Sequence, residues 1–392
     1  MTGAPPVRVL ANRGAAHIIR TELTRRGFLA TALAATGTVL FTACAPGQVG
    51  AAPQAHGGPL EDKLSIYTWS DYDAPEILEA FSAKKGPRIV VDAFNSNEEL
   101  IAKLVAARGT SGYDIVVPSG LFVTPMAENG LLEELDLDLI PNFATMNPNF
   151  IHRSFDPDNR YSICKAWGTT GFVYDRRVIS RELTDWADFI DAAQNEASGK
   201  VSLLDDPAPM CGIYFWSHGI DWNTTRKADL DACERFLVKE LAPHVSTFDS
   251  APGGQVIPQA SAALVQSYSG DARTGMNESD DPERWQWVLG APATELWMDN
   301  WAIAKGAPHP EAAHAFIDFM IAPDVQLAQV DYIGYDTGVQ GTQKKAEDAG
   351  LERLDMVYFD DTQVETMHEQ EFTEAQERIV SIWNATKAAA GA

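Results

Sequence analysis

Strands and helices alternate along the first part of this chain, and this order restricts the folds that it can form. Apolar β-type runs occur at Leu64–Trp69, Ile89–Phe94 and Asp114–Ser119. A helix is predicted after each of the first two runs. The order strand, helix, strand, helix, strand favours a parallel sheet with helices on both faces.

Helix-start signals support this pattern. Asp73 stands where a helix cap is expected, with Pro75 in the first turn and Glu76 three residues after the cap. Ser96 and Glu99 form a capping-box pattern for the next helix, which runs to about Ala107. We therefore assign Asp73, Ser96 and Glu99 to helix starts.

A second α/β unit is predicted further along the chain. Gly171–Asp175 and Val201–Asp205 have the composition of strands, and Glu311–Ala322 is typical of a helix that Pro323 ends. The sequence therefore predicts two α/β lobes.

The N-terminal region has the features of an export signal. Arg25 and Arg26 precede a short apolar run, residues 30–41, which is too short to cross a bilayer comfortably. Paired arginines before such a run indicate the twin-arginine route. Cys44 follows small residues and resembles the lipidated cysteine of bacterial lipoproteins, although Phe41 stands where that pattern usually has leucine. We predict a signal peptide at 1–43, lipidation of Cys44 and a flexible tether at 44–61.

The charge of the chain limits its partners. The net charge is −25, and residues 1–43 carry five arginines and one glutamate, so the chain without them is four charges more negative. Such a surface repels nucleic acid and anionic lipid. No second long apolar segment follows, so we expect the exported protein to be soluble apart from its anchor.

Cysteine and histidine spacing suggests neither a metal site nor a cofactor. Three cysteines follow Cys44, which allows at most one disulfide, with Cys211 and Cys233 slightly favoured because they are close in sequence. The eight histidines are scattered, so we expect no metal and no cofactor.

Aromatic residues lie close to aspartates at the ends of several predicted strands, where ligands bind in open α/β sheets. This combination suits an alkylammonium ion, because the carboxylate accepts its hydrogen bonds and the aromatic faces attract its charge. The segments are Trp69-Ser70-Asp71-Tyr72, Tyr268-Ser269-Gly270-Asp271 and Trp297-Met298-Asp299.

From about Leu64 to its end the chain resembles a known family. The motifs are Tyr67-Thr68-Trp69-Ser70-Asp71-Tyr72, Ser96-Asn97-Glu98, Tyr113-Asp114-Ile115-Val116-Val117-Pro118-Ser119, Trp167-Gly168-Thr169-Thr170-Gly171, Leu203-Leu204-Asp205-Asp206, Trp297-Met298-Asp299 and Ile333-Gly334-Tyr335. In this order they resemble the polyamine-binding proteins of bacterial ABC importers, the spermidine/putrescine type.

The resemblance implies a type II periplasmic-binding-protein-like fold with two lobes that close around the ligand. It assigns residues 62–166 plus 299–338 to lobe 1 and residues 167–298 plus 339–392 to lobe 2. Each lobe is then a mostly parallel sheet flanked by helices. The hinge crossovers lie near Trp167-Gly168 and near Trp297 to Asp299.

The same resemblance implies the ligand-binding residues. They are Trp69, Ser70, Asp71, Tyr72, Ser119, Asp206, Tyr268, Asp271, Trp297, Asp299 and Tyr335. Tyr268 stands where the family usually has tryptophan. Where the family often has a glutamate after Asp205-Asp206, this chain has Pro207-Ala208-Pro209-Met210. Asp206 is a candidate substitute. Without a substitute one amine loses its partner, and the expected ligand is then shorter, monovalent or not a polyamine. Structural roles stay open for Asp71, Asp299 and the tryptophans.

These features predict a monomeric receptor that carries a cationic amine to ABC permease subunits and is not an enzyme. Its expected location is the periplasm or the outer face of the cell membrane, anchored at Cys44. Another small solute on the same fold is the first alternative. An exported hydrolase is less favoured, because GxSxG and HExxH motifs are absent from the sequence, and a sensor or scaffold domain is a further alternative.

Overall fold

The computed structural model describes residues 53–70, 72–94, 96–107 and 111–391. The predicted signal peptide, the lipidation site Cys44, the first part of the predicted tether and the predicted ligand residue Asp71 lie outside the described residues. The described chain is an α/β protein, so the predicted fold class is confirmed.

Strands and helices alternate through most of the described chain. The strands are β1 (Lys63–Trp69), β2 (Arg88–Phe94), β3 (Ile115–Val116), β4 (Ile163–Asp175), β5 (Val201–Leu204), β6 (Val245–Asp249), β7 (Leu264–Tyr268), β8 (Trp285–Leu289), β9 (Thr294–Ile303) and β10 (Met367–His368). The α-helices are α1 (Pro75–Lys85), α2 (Asn97–Ala106), α3 (Gly120–Glu128), α4 (Trp186–Gln194), α5 (Pro207–Ser217), α6 (Lys227–Phe236), α7 (Ser269–Glu278), α8 (Pro310–Met320), α9 (Gln326–Ile333), α10 (Thr342–Asp348), α11 (Asp361–Val364) and α12 (Gln376–Ala390).

The chain divides into two compact units. The first contains the described residues up to Lys165 together with Asp299–Gln326, and the second contains Ala166–Met298 and Leu327–Ala392. The chain passes from one unit to the other within β4, within β9 and at the start of α9. Each unit therefore combines segments that are far apart in sequence.

The first unit is built on the predicted parallel strands. Strand β1 pairs in parallel with β2 and β3, and β3 pairs antiparallel with the last residues of β9, with Ile115 opposite Ile303. Buried side chains such as Phe94, Leu100 and Val123 connect the sheet to its helices in one apolar cluster. Because β1 and β3 are parallel, the residues that follow them lie at the same edge of the sheet.

The helix starts were predicted in part. Ser96 is the N-cap of α2 and accepts a hydrogen bond from the Glu99 N–H at 3.2 Å, as predicted. The prediction for Asp73 was wrong, because Ala74 is the N-cap of α1 and no side chain caps that helix. Asp73 forms a buried ion pair with Lys165 instead.

The second unit has a mixed sheet with apolar clusters on both faces. Strand β5 pairs in parallel with β6 and β7, whereas β4 pairs antiparallel with β7 and β8. Along β4, Phe172 and Tyr174 pack in one cluster and Val173 packs in the other. This alternation is the one expected for a strand whose two faces are both covered.

The last passage between the units lies earlier than predicted. Residues 327–338 were assigned to lobe 1 from the resemblance, but they belong to the second unit. The reason is local packing: the Trp167 N–H donates to the Asp336 carbonyl at 3.0 Å, and a side-chain atom on Gly270 would lie 2.6 Å from the Gly334 carbonyl oxygen. Tyr335 is therefore a residue of the second unit.

The described end of the predicted tether is attached to the first unit. The backbone N–H groups of His56, Gly57 and Gly58 donate to the Glu311 carboxylate at 2.7, 3.2 and 3.0 Å. Glu61 in turn accepts from the Ala312 N–H at the start of α8. The tether was predicted to extend to residue 61, but the chain is already held at His56.

The three cysteines of the described chain, Cys164, Cys211 and Cys233, are buried free thiols. The Cys233 thiol donates to the Cys211 carbonyl at 3.9 Å, and burial raises the pKa of the Cys233 thiol well above its ordinary value. The disulfide that the sequence allows is therefore not formed in this structure. Among residues 53–391 as described, no helix has the length and apolar character needed to cross a membrane.

Candidate functional site

Asp299 is the centre of a polar cluster in the first unit, which we call the Asp299 cluster (Tyr72, Asn97, Ser119 and Asp299). Ser119 lies opposite Asp299 in an antiparallel bridge, so the pairing of the two segments places their side chains together. The Ser119 hydroxyl donates to Asp299 Oδ1 at 2.6 Å, and the Tyr72 hydroxyl donates to Asp299 Oδ2 at 2.9 Å. Each carboxylate oxygen thus accepts a hydrogen bond from a neutral hydroxyl.

Asn97 fixes the position of Ser119. Its Nδ2 donates to Ser119 Oγ at 3.1 Å, and its Oδ1 accepts from the Ser119 N–H at 3.0 Å. Asn97 lies in the family motif Ser96-Asn97-Glu98 but was not among the predicted site residues. Asn97 is the first residue of α2, directly after the capping Ser96, and this position is the sequence feature that could have identified it.

The electrostatic state of Asp299 follows from its burial. The residue is 8 % exposed, and this burial raises the pKa of its carboxyl to about 6, although the bonds from Ser119 and Tyr72 and the charge of Lys165 act in the opposite direction. Among the described residues, no lysine, arginine or histidine forms an ion pair with Asp299. A buried carboxylate of this kind is stabilised by a cation that binds beside it.

Two other predicted residues of the first unit lie at the end of β1. Trp69 packs edge-on against Phe94, with ring centroids 4.6 Å apart, and its Nε1 donates to the Val117 carbonyl at 3.1 Å. Ser70 is exposed. The structure therefore brings Tyr72, Ser119 and Asp299 into contact, with Trp69 held at the end of the neighbouring strand.

The second unit contains a separate aromatic and acidic cluster, which we call the Tyr268 cluster (Asp206, Tyr268, Trp297 and Tyr335). The rings of Tyr268 and Trp297 meet edge to face at 6.0 Å, and those of Trp297 and Tyr335 do so at 4.7 Å. The Tyr268 hydroxyl donates to Asp206 Oδ2 at 2.9 Å. All four residues were predicted site residues, and they come from four different segments of the chain.

Glycines allow this aromatic packing. A side-chain atom on Gly168 would lie 2.6 Å from the Trp297 ring and 3.0 Å from the Tyr335 ring. A side-chain atom on Gly270 would lie 2.6 Å from the Tyr335 ring. The close approach of these rings therefore explains why glycine stands at positions 168 and 270.

Asp206 is a buried acid beside a neutral donor. Its Oδ1 accepts from the Ala208 N–H at 3.3 Å, so it also caps α5. Burial raises the pKa of its carboxyl. Burial, together with the charge of Asp206, raises the pKa of the Tyr268 hydroxyl well above its ordinary value. The neighbouring Asp205 is different, because Lys387 pairs with it at 2.6 Å.

Asp271 lies beside the Tyr268 cluster but is held by its own partners. Its Oδ2 accepts from the Gly253 N–H at 2.8 Å and from the Ser267 hydroxyl at 3.3 Å. Its backbone N–H donates to the Tyr335 hydroxyl oxygen at 3.1 Å. Burial raises the pKa of the Asp271 carboxyl to about 6.

Two further acids of the second unit were missed from the sequence. Glu295 accepts from the Thr170 hydroxyl at 2.7 Å, and its charge contributes to the raised pKa of Tyr268. Asp336 accepts from Trp167 Nε1 at 3.0 Å, and burial raises the pKa of Asp336 to about 6. Both acids lie within two residues of an aromatic side chain, Trp297 and Tyr335 respectively, but neither follows a predicted strand.

Comparison with known proteins identifies relatives of this chain. Residues 76–351 match the family model described as bacterial extracellular solute-binding protein. The spermidine/putrescine-binding periplasmic protein of Escherichia coli K12 is 30% identical over 275 residues, which cover 70% of this chain and 77% of that protein. The putrescine/agmatine-binding protein of Pseudomonas aeruginosa is 27% identical over 305 residues, which cover 74% of this chain and 82% of that protein.

A solved structure supports the same relationship. The spermidine/putrescine ABC transporter substrate-binding protein PotD from Streptococcus pneumoniae is 27% identical, with a TM-score of 0.73. The match covers 84% of this chain and 100% of that one.

Proposed function

The chain belongs to the bacterial extracellular solute-binding proteins, and we propose that it is the receptor of an ABC importer for a putrescine- or spermidine-like polyamine. The observation that carries this proposal is the buried Asp299 carboxylate. Its hydrogen bonds come from the neutral hydroxyls of Ser119 and Tyr72, so its negative charge is available to an ammonium ion. Charge-assisted hydrogen bonds of this kind are about twice as strong as neutral ones.

The second unit supports a ligand with more than one ammonium group. The Tyr268 cluster combines the buried acid Asp206 with three aromatic rings, and Asp271 lies next to it. Aromatic faces attract an ammonium and cover the methylene groups between two ammonium groups. The names of the relatives in Escherichia coli and Pseudomonas aeruginosa agree with such a ligand. That the two lobes close around it stays a prediction from the resemblance.

Another small solute is the second candidate, and Pro209 is the observation that favours it. Pro209 is buried in α5, and its carbonyl accepts from Gln266 Nε2 at 2.7 Å. This segment cannot supply the glutamate that polyamine binders often have there, and Asp206 is the acid that stands nearest to that position in the sequence. A ligand with fewer or more closely spaced charges is then the alternative. We propose no enzymatic reaction for either ligand.

We further propose how the receptor is delivered and where it acts. The Arg25-Arg26 pair and the apolar run at 30–41 support export by the twin-arginine route, and Cys44 supports a lipid anchor. In this proposal the protein acts as a monomer outside the cytoplasmic membrane and passes its ligand to permease subunits.

Removing the charge of either site aspartate is expected to weaken putrescine binding. Asp299→Asn and Asp271→Asn should each raise the Kd by at least about tenfold, or about 1.4 kcal/mol. Isothermal titration calorimetry with putrescine measures the effect. Asp280→Asn is the matched control, because Asp280 is an exposed loop residue, and its Kd should equal that of the wild type. Wild-type affinity in both site variants would show that the ligand binds elsewhere.

Putrescine affinity is also expected to fall at acidic pH. Burial raises the pKa of both Asp299 and Asp271 to about 6, so below this pH each carboxyl holds a proton that a bound ammonium must displace. Both ammonium groups of putrescine stay charged in this range, as a lysine does. Between pH 7.5 and pH 5 the Kd should rise by roughly tenfold for each carboxyl. Calorimetry across this range measures it, and a pH-independent Kd would contradict the role of these two acids.

The lipid anchor is tested by replacing Cys44. In cells that export the protein, Cys44→Ala should release it from the membrane fraction into the soluble extracytoplasmic fraction, because the acceptor of the lipid is lost. Cys164→Ala is the control, since Cys164 is a buried core thiol, and it should stay with the membrane. Equal membrane association of the Cys44→Ala variant would refute lipidation at this residue.

A further inference from the structure

A buried lysine ammonium lies against Tyr72 in the first unit. Lys165 Nζ donates to the Tyr72 carbonyl at 2.6 Å and to Asp73 Oδ1 at 2.9 Å. The side chains of Lys165 and Asp73 are 1% and 3% exposed. Nζ also lies 4.0 Å from the centroid of the Tyr72 ring and 4.6 Å from that of the Trp301 ring.

These partners are the ones that an alkylammonium ligand would use. They comprise a carboxylate, a carbonyl oxygen and two aromatic faces. The Lys165 ammonium therefore occupies one face of the Tyr72 ring. The hydroxyl of the same tyrosine donates to Asp299. A position next to the Asp299 cluster that would suit a ligand ammonium is thus occupied by the ammonium of Lys165.

Charge balance gives this arrangement a consequence for the ligand. Asp73 and Asp299 carry two negative charges, and Lys165 carries one positive charge, so one negative charge remains for the ligand. The charge of Lys165 also acts directly on Asp299, where it favours the ionised carboxylate. The remaining negative charge balances one ligand ammonium. A second ammonium close by would be repelled by the lysine charge and would find one face of the Tyr72 ring occupied.

We propose that Lys165 is a specificity-determining residue, which makes the first unit accept a single terminal ammonium and so favours short diamines over triamines. This inference rests on the proposed function, since it concerns the ligand of the same site. It agrees with the loss of an acidic position at Pro209, which is a separate observation in the second unit.

A purely structural role for the Lys165–Asp73 pair has a different signature. If the pair only held the segment after β1, its loss would weaken the binding of all amines alike. A role in charge selection changes the ratio of the affinities for spermidine and putrescine. The ratio therefore separates the two roles.

The experiment compares three proteins by calorimetry at pH 8 with putrescine and spermidine. They are the wild type, Lys165→Met and the double variant Lys165→Met/Asp73→Asn. In Lys165→Met the Asp73 carboxylate is no longer neutralised by the lysine charge and favours an additional ammonium, so the ratio of spermidine to putrescine affinity should rise about tenfold, equivalent to about 1.4 kcal/mol. The double variant restores the original charge balance, so its ratio should return to the wild-type value.

An unchanged ratio in Lys165→Met, with putrescine still bound by the wild type, would overturn this inference and leave the proposed function intact. No binding of either amine by the wild type would overturn both. If Lys165→Met does not fold, as judged by thermal unfolding, Asp73→Asn takes its place. That variant leaves the lysine charge without the Asp73 carboxylate, so the ratio of spermidine to putrescine affinity should fall below the wild-type value, and an unchanged ratio would again overturn the inference.

Discussion

The burial of the Asp299 carboxylate is the interaction on which the candidate site depends. Ionising a buried acid is unfavourable unless a cation or several donors stabilise it. Here the donors are the hydroxyls of Ser119 and Tyr72, with Asn97 holding Ser119 in place. These contacts orient the carboxylate without neutralising its charge. The free protein therefore carries an electrostatic cost that a bound ammonium removes, and this coupling is how a receptor gains selectivity for cations.

In our proposal the second unit stabilises an ammonium in the same way, with a larger contribution from aromatic rings. Asp206 accepts from Tyr268, and the rings of Tyr268, Trp297 and Tyr335 pack edge to face. The absence of side chains at Gly168 and Gly270 allows the close packing of these rings. A rigid aromatic surface lowers the entropy cost of binding a flexible alkyl chain. The Lys165–Asp73 ion pair adds no net charge to the first unit, so in our proposal the Asp299 charge alone remains for one ligand ammonium, and the chain distinguishes diamines from triamines in this way.

Much of this could be predicted from the sequence, and the exceptions have physical causes. The strands of the first unit and the cap at Ser96 follow from local periodicity and helix-start chemistry, which neighbouring residues determine. The family resemblance named Tyr72, Ser119 and Asp299 in the first cluster and all four residues of the second as candidates, but it did not name Asn97. Lys165 and Asp73 were missed as partners, because 92 residues separate them and their pairing exists only in the folded unit. Asp73 was interpreted as a helix cap for the same reason, since a capping residue and a buried ion-pair partner have the same local pattern. The last boundary between the two units lies at Gln326–Leu327 and was predicted after residue 338. Its position depends on contacts of Gly334 and Asp336 with residues distant in sequence, which local patterns do not reveal.

The most direct test of cation recognition is thermal unfolding of the purified protein with a panel of solutes. The panel contains putrescine, cadaverine, spermidine, spermine and agmatine, together with neutral and anionic solutes of similar size. A ligand at 100 times its Kd adds about 2.7 kcal/mol to the free energy of unfolding, which gives a clear rise in Tm. Our account predicts that at least one amine raises the Tm and that the neutral and anionic solutes do not. No shift with any amine, or a shift with an anionic solute, would contradict it.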